Sequence, residues 1–142
     1  MILKRRLIAI LATGFVAACG GDEAPMGPEE RVVLTNPSFS TDIQEIILRR
    51  GCTAGQCHGD GAGGMTLSSS ASANHAAWVG VASTSEPGFL RVEPGDPDNS
   101  YVVIKLEGRQ SVGARMPLGG APTDDIDIAN IRNWIAAGAQ NN

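Results

Sequence analysis

The residues best suited to chemistry form one short run, Cys52-Thr53-Ala54-Gly55-Gln56-Cys57-His58. Two cysteines can each form a thioether bond with a vinyl group of a haem, and a histidine directly after the second cysteine can then bind the iron. The usual form of this pattern has two residues between the cysteines, whereas four lie between them here. The longer loop can bring both sulfurs to the vinyl groups if it bulges, and Gly55 gives the backbone freedom to do so.

Two other chemistries suit the same run. A disulfide between Cys52 and Cys57 is sterically feasible and would staple the chain where the first helix ends. A zinc site would need both cysteines, His58 and His75, and this spacing fits no common zinc pattern. The run alone therefore disfavours zinc and leaves haem attachment and a disulfide open.

A haem iron bound by His58 has a sixth coordination position, which a methionine thioether fills in many electron-transfer cytochromes. Met116 lies far downstream on no amphipathic face, and Pro117 after it disfavours helical geometry and directs the chain. Met65 follows His58 closely and is expected to fill the core. His75 is expected to be a structural or solvent-edge residue. The sequence therefore favours Met116 as the second axial ligand.

Three helical segments are predicted to position these residues. The first runs from Ser40 or Thr41 to residue 50, with isoleucines on one face and Gly51 as its stop. A second, weaker segment covers residues 71–79. The third has Thr123 as its N-cap, acidic residues in its first turn and an apolar stripe that ends near Gly138. The apolar run 101–104 suits a strand or a short helix, so the expected fold class is all-α with long Gly/Pro-rich loops.

The N-terminal segment is predicted to be a secretion signal. Three basic residues, Lys4, Arg5 and Arg6, precede an apolar run from 7 to 18 that is too short to span a bilayer. The run ends in Val16-Ala17-Ala18-Cys19, which resembles a bacterial lipoprotein signal, in which the cysteine is acylated; an ordinary signal peptide is the alternative. The predicted organisation is a signal over 1–18, acylated Cys19 and a flexible tether over 19–37, and a folded domain over 38–142.

Composition narrows the function further. The chain has 11 basic and 15 acidic residues, and removal of 1–18 leaves 8 and 15, a net charge of −7. Such a chain has no basic face for nucleic acid. With only three Phe, two Trp and one Tyr, its core would gain from a large apolar prosthetic group. No nucleophile–base pair or facing carboxylates are recognisable, so the sequence predicts no enzyme active site.

The order of these motifs resembles the bacterial class I cytochrome c-like domains, including the planctomycete-type cytochrome c family. The resemblance covers about residues 40–140, and the matching motifs are Cys57-His58-Gly59, Gly63-Gly64-Met65-Thr66-Leu67, Pro94-Gly95-Asp96-Pro97-Asp98-Asn99-Ser100-Tyr101, Lys105-Leu106, Arg115-Met116-Pro117 and Ile131-Arg132-Asn133-Trp134-Ile135-Ala136-Ala137-Gly138-Ala139. It implies a cytochrome c-like fold with three main helices around one haem c. It also implies Cys52 and Cys57 as attachment sites, and His58 and Met116 as axial ligands.

These observations predict a monohaem c-type cytochrome that carries single electrons and is not an enzyme. Its expected place is the bacterial cell envelope, anchored by lipid on Cys19 at the periplasmic side; Gly20 after the cysteine favours the outer membrane. The expected partners are the membrane, through the anchor, and a redox protein that the sequence does not identify, but no nucleic acid. The alternative is a haem-free lipoprotein binding module stapled by a Cys52–Cys57 disulfide.

Overall fold

The computed structural model describes residues 30–142. The predicted signal segment and the predicted lipidation site, Cys19, lie outside the described residues. Within residues 30–142 the chain consists of helices and loops without strands, and its only β-type pairings are two isolated bridges, Val79–Val92 and Ala82–Leu90. This part of the chain is therefore helical, as the sequence predicts. None of its helices combines the length and the apolar character needed to cross a membrane.

The part of the chain that the structure describes contains four α-helices: α1 (Gln44–Arg49), α2 (Ala71–Trp78), α3 (Tyr101–Glu107) and α4 (Asp125–Ala136). A π-helical turn over Phe39–Ile43 leads directly into α1, so the first helical segment begins slightly before the predicted start. The run that suited either a strand or a helix forms α3, a fourth helix beyond the three predicted. It ends at Gly108, whose left-handed φ of 76° a glycine adopts without strain.

The last helix begins one residue later than the sequence predicts. Its N-cap is Asp124, whose Oδ1 accepts a hydrogen bond of 3.0 Å from the backbone N–H of Asp127. Threonine and aspartate both serve as N-caps, so the two adjacent residues were not distinguishable by type. Thr123, the predicted cap, is instead buried, and its hydroxyl has no hydrogen-bond partner among the described residues.

The core lies where the first helical segment, α2 and α4 meet. Phe39 packs against Trp134 with ring centroids 4.9 Å apart and against Trp78 at 6.3 Å. His75 of α2 stands edge-on to Phe39 and its Nε2 lies 2.8 Å from the carbonyl oxygen of Ala139. The remaining buried apolar side chains surround this aromatic group: Ile43, Ile46, Ile47, Leu67, Val92, Val103, Ile131 and Ile135.

Residues 31–34, which the sequence places in the tether, lie along α4. Asn130 accepts a hydrogen bond from the backbone N–H of Leu34 at 2.7 Å and donates to the carbonyl of Val32 at 3.0 Å, and Asn133 donates to the carbonyl of Leu34 at 2.7 Å. The compact unit accordingly begins at Arg31, earlier than the predicted boundary at residue 38. The two asparagine side chains bind residues 31–34 (the N-terminal arm) through backbone groups of that segment.

Asn142 holds the beginning of the first helical segment. Its carbonyl oxygen accepts hydrogen bonds of 2.8 Å from the hydroxyl of Ser38 and from the backbone N–H of Ser40. Its side-chain Oδ1 accepts one of 2.9 Å from the N–H of Phe39. The first turn of a helix has backbone N–H groups without an internal partner, and here they are satisfied from a residue far along the chain.

A network of charges joins the end of α1 to the start of α4. Asp127, whose side chain is only 2% exposed, accepts hydrogen bonds from Arg49 at 2.8 Å and from Arg50 at 2.7 Å. Arg31 and Arg50 each reach Asp124 at 2.6 Å. The acidic residues of this turn were interpreted from the sequence as first-turn charges only, but the structure shows that Asp127 is a buried partner of the arginines just before Cys52.

Candidate functional site

A cavity of about 430 Å³ opens between the segment that follows α1, helix α3 and the loop that follows α3. Cys52, Cys57, His58 and Met116 all line it, so the four predicted haem-site residues share one cavity. Its volume lies within the range of about 300–1,000 Å³ that is typical of sites for small molecules and cofactors. His75 does not line it.

The segment that carries the cysteines, residues 51–59 (the proximal loop), folds back on itself. Gly51 ends the helix with a φ of +68°, and the N–H of His58 then donates to the carbonyl oxygen of Cys52 at 3.1 Å. Both cysteines are half-buried and no disulfide joins them. Burial raises the pKa of the Cys52 thiol, and the nearby Cys57 raises it further. The Cys52 thiol is therefore mostly protonated at neutral pH.

The proximal loop requires a glycine at residue 59, directly after His58. A Cβ on Gly59 would collide with the carbonyl oxygen of Thr53 and come within 3.0 Å of the Ala54 carbonyl group. The sequence predicted that Gly55 would give the loop its freedom to bulge. Gly55, however, has no left-handed φ, and the nearest atoms to a Cβ there would be those of the Asp60 carboxylate, at 3.0 Å. The close return of the backbone, and not a strained turn at Gly55, therefore gives the proximal loop its shape.

The side chain of His58 is oriented by one hydrogen bond. Its Nδ1 lies 2.7 Å from the carbonyl oxygen of Ala62. Because a carbonyl oxygen only accepts, Nδ1 carries a proton, and in the neutral ring the lone pair is therefore on Nε2. No hydrogen bond to Nε2 is present among the described residues. A backbone carbonyl that fixes the second ring nitrogen is the usual support of a metal-binding histidine.

Two thioethers reach the cavity. Met116 is half-buried on residues 109–120 (the distal loop), where its N–H donates to the carbonyl oxygen of Lys105 at 3.0 Å. Met65 packs against the core, as expected from the sequence, but it also lines the cavity. The sequence did not indicate that Met65 would contact both the core and the cavity. Met65 lies in an irregular segment, and no periodicity shows which way its side chain points.

Sequence reasoning also missed three buried polar groups of the cavity wall. Trp78 Nε1 and Thr123 Oγ1 have no hydrogen-bond partner within residues 30–142, whereas Tyr101 Oη lies beside the carboxylate of Glu86; all three residues line the cavity. An unpaired buried polar atom costs about 1–3 kcal/mol, so the donors of Trp78 and Thr123 suit a bound molecule that carries hydrogen-bond acceptors. Three different elements contribute them, and no spacing in the sequence signals their convergence.

Positive charge completes the cavity wall. Arg50, Arg91 and Lys105 line it. The guanidinium of Arg91 donates at 2.8 Å to the carbonyl oxygens of Ala77 and Gly64, which fixes it against the wall. Apolar side chains line the cavity together with cations and unpaired donors, and this combination suits an apolar ligand that carries anionic groups.

The residues required for the zinc alternative are not brought together. His75 lies in the core with its Nε2 on a backbone carbonyl, away from Cys52, Cys57 and His58. Among the described residues no group of three or more His, Cys, Asp or Glu side chains could hold a metal ion.

Comparisons of the chain with family models, with curated proteins and with solved structures give no match.

Proposed function

We propose that the protein is a monohaem c-type cytochrome that carries single electrons. The observation that carries the proposal is the convergence of Cys52, Cys57, His58 and Met116 on one cavity. The methionine is brought there by a loop far from the other three in sequence. Neither a disulfide staple nor ordinary core packing requires such a meeting of thiols, imidazole and thioether.

Each residue has a role that its surroundings support. Cys52 and Cys57 supply the two thiols for covalent attachment, and His58 offers Nε2 because its Nδ1 is occupied by Ala62. Met116, on the distal loop, would offer a thioether as a second ligand. When bound, the haem supplies the Fe(II)/Fe(III) couple, and a His/Met ligand pair raises its potential.

The wall of the cavity suits such a group in polarity. A haem is a large apolar ring with two carboxylates, and the cavity combines an apolar lining with the unpaired donors of Trp78 and Thr123. The thin aromatic core gains apolar contact area from the bound ring. We further propose that the domain is anchored by lipid at Cys19 in the bacterial envelope, on the periplasmic side of the outer membrane. It passes electrons to a protein partner and has no enzymatic activity of its own.

Covalent haem is tested directly on protein expressed in a host that attaches haem c. We expect the purified wild type to show a Soret absorption. We also expect it to keep its haem through denaturing electrophoresis, where haem-dependent peroxidase staining detects the band. Cys52→Ala and Cys57→Ala should each lose attachment or retain a single thioether, which shifts the reduced α-band. Cys19→Ala is the matched control, because it removes a cysteine outside the cavity and should stain like the wild type. A colourless, folded wild type with a Cys52–Cys57 disulfide would instead establish the haem-free module.

A further inference from the structure

The distal loop has few apolar contacts to hold it. It leaves α3 at Gly108 and carries two apolar side chains that remain exposed, Val112 at 49% and Leu118 at 72%. Residues 111–114 are exposed throughout. Burial of apolar area is therefore not what positions Met116, and the loop must be held by polar contacts.

Glu86 binds Ser111 at the start of the loop, and one residue of α3 supplies the contacts nearest Met116. The carbonyl oxygen of Lys105 accepts the N–H of Met116 at 3.0 Å. Its ammonium group donates to the carbonyl oxygens of Ala114 at 2.5 Å and Val112 at 3.5 Å. The backbone of Lys105 thus binds Met116 itself, and its side chain binds the two loop residues 112 and 114 just before it.

Lys105 itself stands on a rigid support. Its neighbours Val103 and Ile104 are 1% and 5% exposed and fix α3 in the core. The ammonium group lies 5.8 Å from the centre of the Tyr101 ring, which adds a cation–π contact. Lys105 also lines the cavity. Lys105 therefore links the loop, which has little apolar packing of its own, to a helix that is fixed in the core.

We infer that Lys105 is a positioning residue that keeps the thioether of Met116 on the haem iron. The inference rests on the proposed function. A thioether is a soft ligand and binds the harder ferric iron weakly, so its retention depends on how firmly the loop presents it. Without the ammonium group, the loop loses its hydrogen bonds at residues 112 and 114. The backbone bond of Met116 to Lys105 and the hydrogen bonds of Ser111 to Glu86, five residues before Met116, remain.

The test compares three variants of the full-length, haem-loaded protein. Lys105→Leu keeps the apolar stem and removes the donors, and Lys105→Arg restores donors of the same charge. Arg109→Leu is the matched control, because Arg109 is a cation of the same region whose contacts are with Glu107 and the carbonyl of Asp98, outside residues 112–116. The readouts are the Soret absorption, the weak near-infrared band of His/Met ligation in the oxidised protein, and amide exchange at Met116.

We expect Lys105→Leu to keep its Soret absorption, lose the near-infrared band, exchange the Met116 amide faster and have a lower potential. Lys105→Arg should regain much of the band, and Arg109→Leu should match the wild type. A Lys105→Leu protein that keeps the full band would overturn the inference and leave the proposed function intact, as would a haem-loaded wild type without the band. A wild type without covalent haem would overturn the proposed function itself.

Discussion

At the residue scale, the hydrogen bond from His58 Nδ1 to the carbonyl of Ala62 decides what the site can do. It leaves Nε2 as the nitrogen with a lone pair and holds the ring in one orientation. The identity of His58 as a candidate ligand was predictable, because the Cys-His pair stands in the sequence. Its carbonyl partner was not, because Ala62 has no side-chain signal and only the fold brings its backbone there.

The choice between the two cavity methionines is a prediction at the same scale. We expect Met116→Ala to abolish the near-infrared band and to lower the reduction potential on the order of 0.1 V, a fraction of the ~0.8 V that axial ligands span. The thioether stabilises Fe(II), so its loss shifts the couple downwards. Spectroelectrochemistry of the purified protein measures both effects. Met65→Ala is the comparison, and loss of the band in that variant alone would exchange the roles of the two residues.

Gly59 gives a second residue-scale prediction. Gly59→Ala forces a Cβ against the carbonyl oxygen of Thr53, and overpacking of this kind costs about 1–3 kcal/mol. We expect a lower yield of haem attachment and a lower unfolding temperature, measured by haem content per protein and by circular dichroism. Gly88→Ala, where a Cβ meets nothing within 4 Å, should behave like the wild type. Equal behaviour of the two variants would show that the loop has room to move.

At the element scale, the spacing of apolar residues predicted the helices well and their polar contacts poorly. Four side chains were expected on the inner face of the last helix: Ile128, Ile131, Trp134 and Ile135. The last three are buried there, whereas Ile128 is only half-buried. Asp127 was expected to be a first-turn charge and is buried among arginines. An acidic residue in a first turn has the same sequence signature whether it faces solvent or the end of another helix, so the pairing could not be deduced.

The buried pairing predicts a large effect of one substitution. Asp127→Asn leaves Arg49 and Arg50 without their shared carboxylate, and breaking a buried ion pair from one side costs about 3 kcal/mol. Denaturant unfolding at neutral pH measures the change in the free energy of unfolding. Asp125→Asn, an exposed acid of the same helical turn, should change stability little. A small loss in Asp127→Asn would mean that the network contributes nothing beyond surface charge.

The same junction makes stability depend on pH. The backbone N–H of Asp127 and the guanidinium of Arg31 lower the pKa of Asp124 to about 2. The unfolded chain has a pKa near ~3.9 for this group, so its contribution to stability is complete above that pH and is lost as the pH falls towards 2. In urea titrations between pH 5 and 2, Asp124→Asn should lose less stability on acidification than the wild type. Parallel curves would assign the acid sensitivity to other carboxylates.

At the scale of the whole molecule, the proposed lipid anchor predicts where the protein is found in the cell. We expect the wild type in the outer-membrane fraction with an acylated Cys19 as its first residue, and Cys19→Ala in the soluble periplasmic fraction with its haem intact. Fractionation and mass spectrometry of the N-terminus measure this. An intact residue 1, or an unmodified soluble wild type, would contradict the anchor.

The contacts of Asn142 have a consequence for the order in which the protein is made. Ser38 and Asn142 are 104 residues apart in the chain. Residues 31–34 are likewise bound by two distant residues, Asn130 and Asn133. A ribosome releases the early segments first, so they have no partners until the last helix has emerged, and closing such distant contacts is slow. We therefore expect the early segments to stay open until synthesis is complete. Under the proposed function, both thiols of the proximal loop would then be accessible for haem attachment before the cavity closes around them.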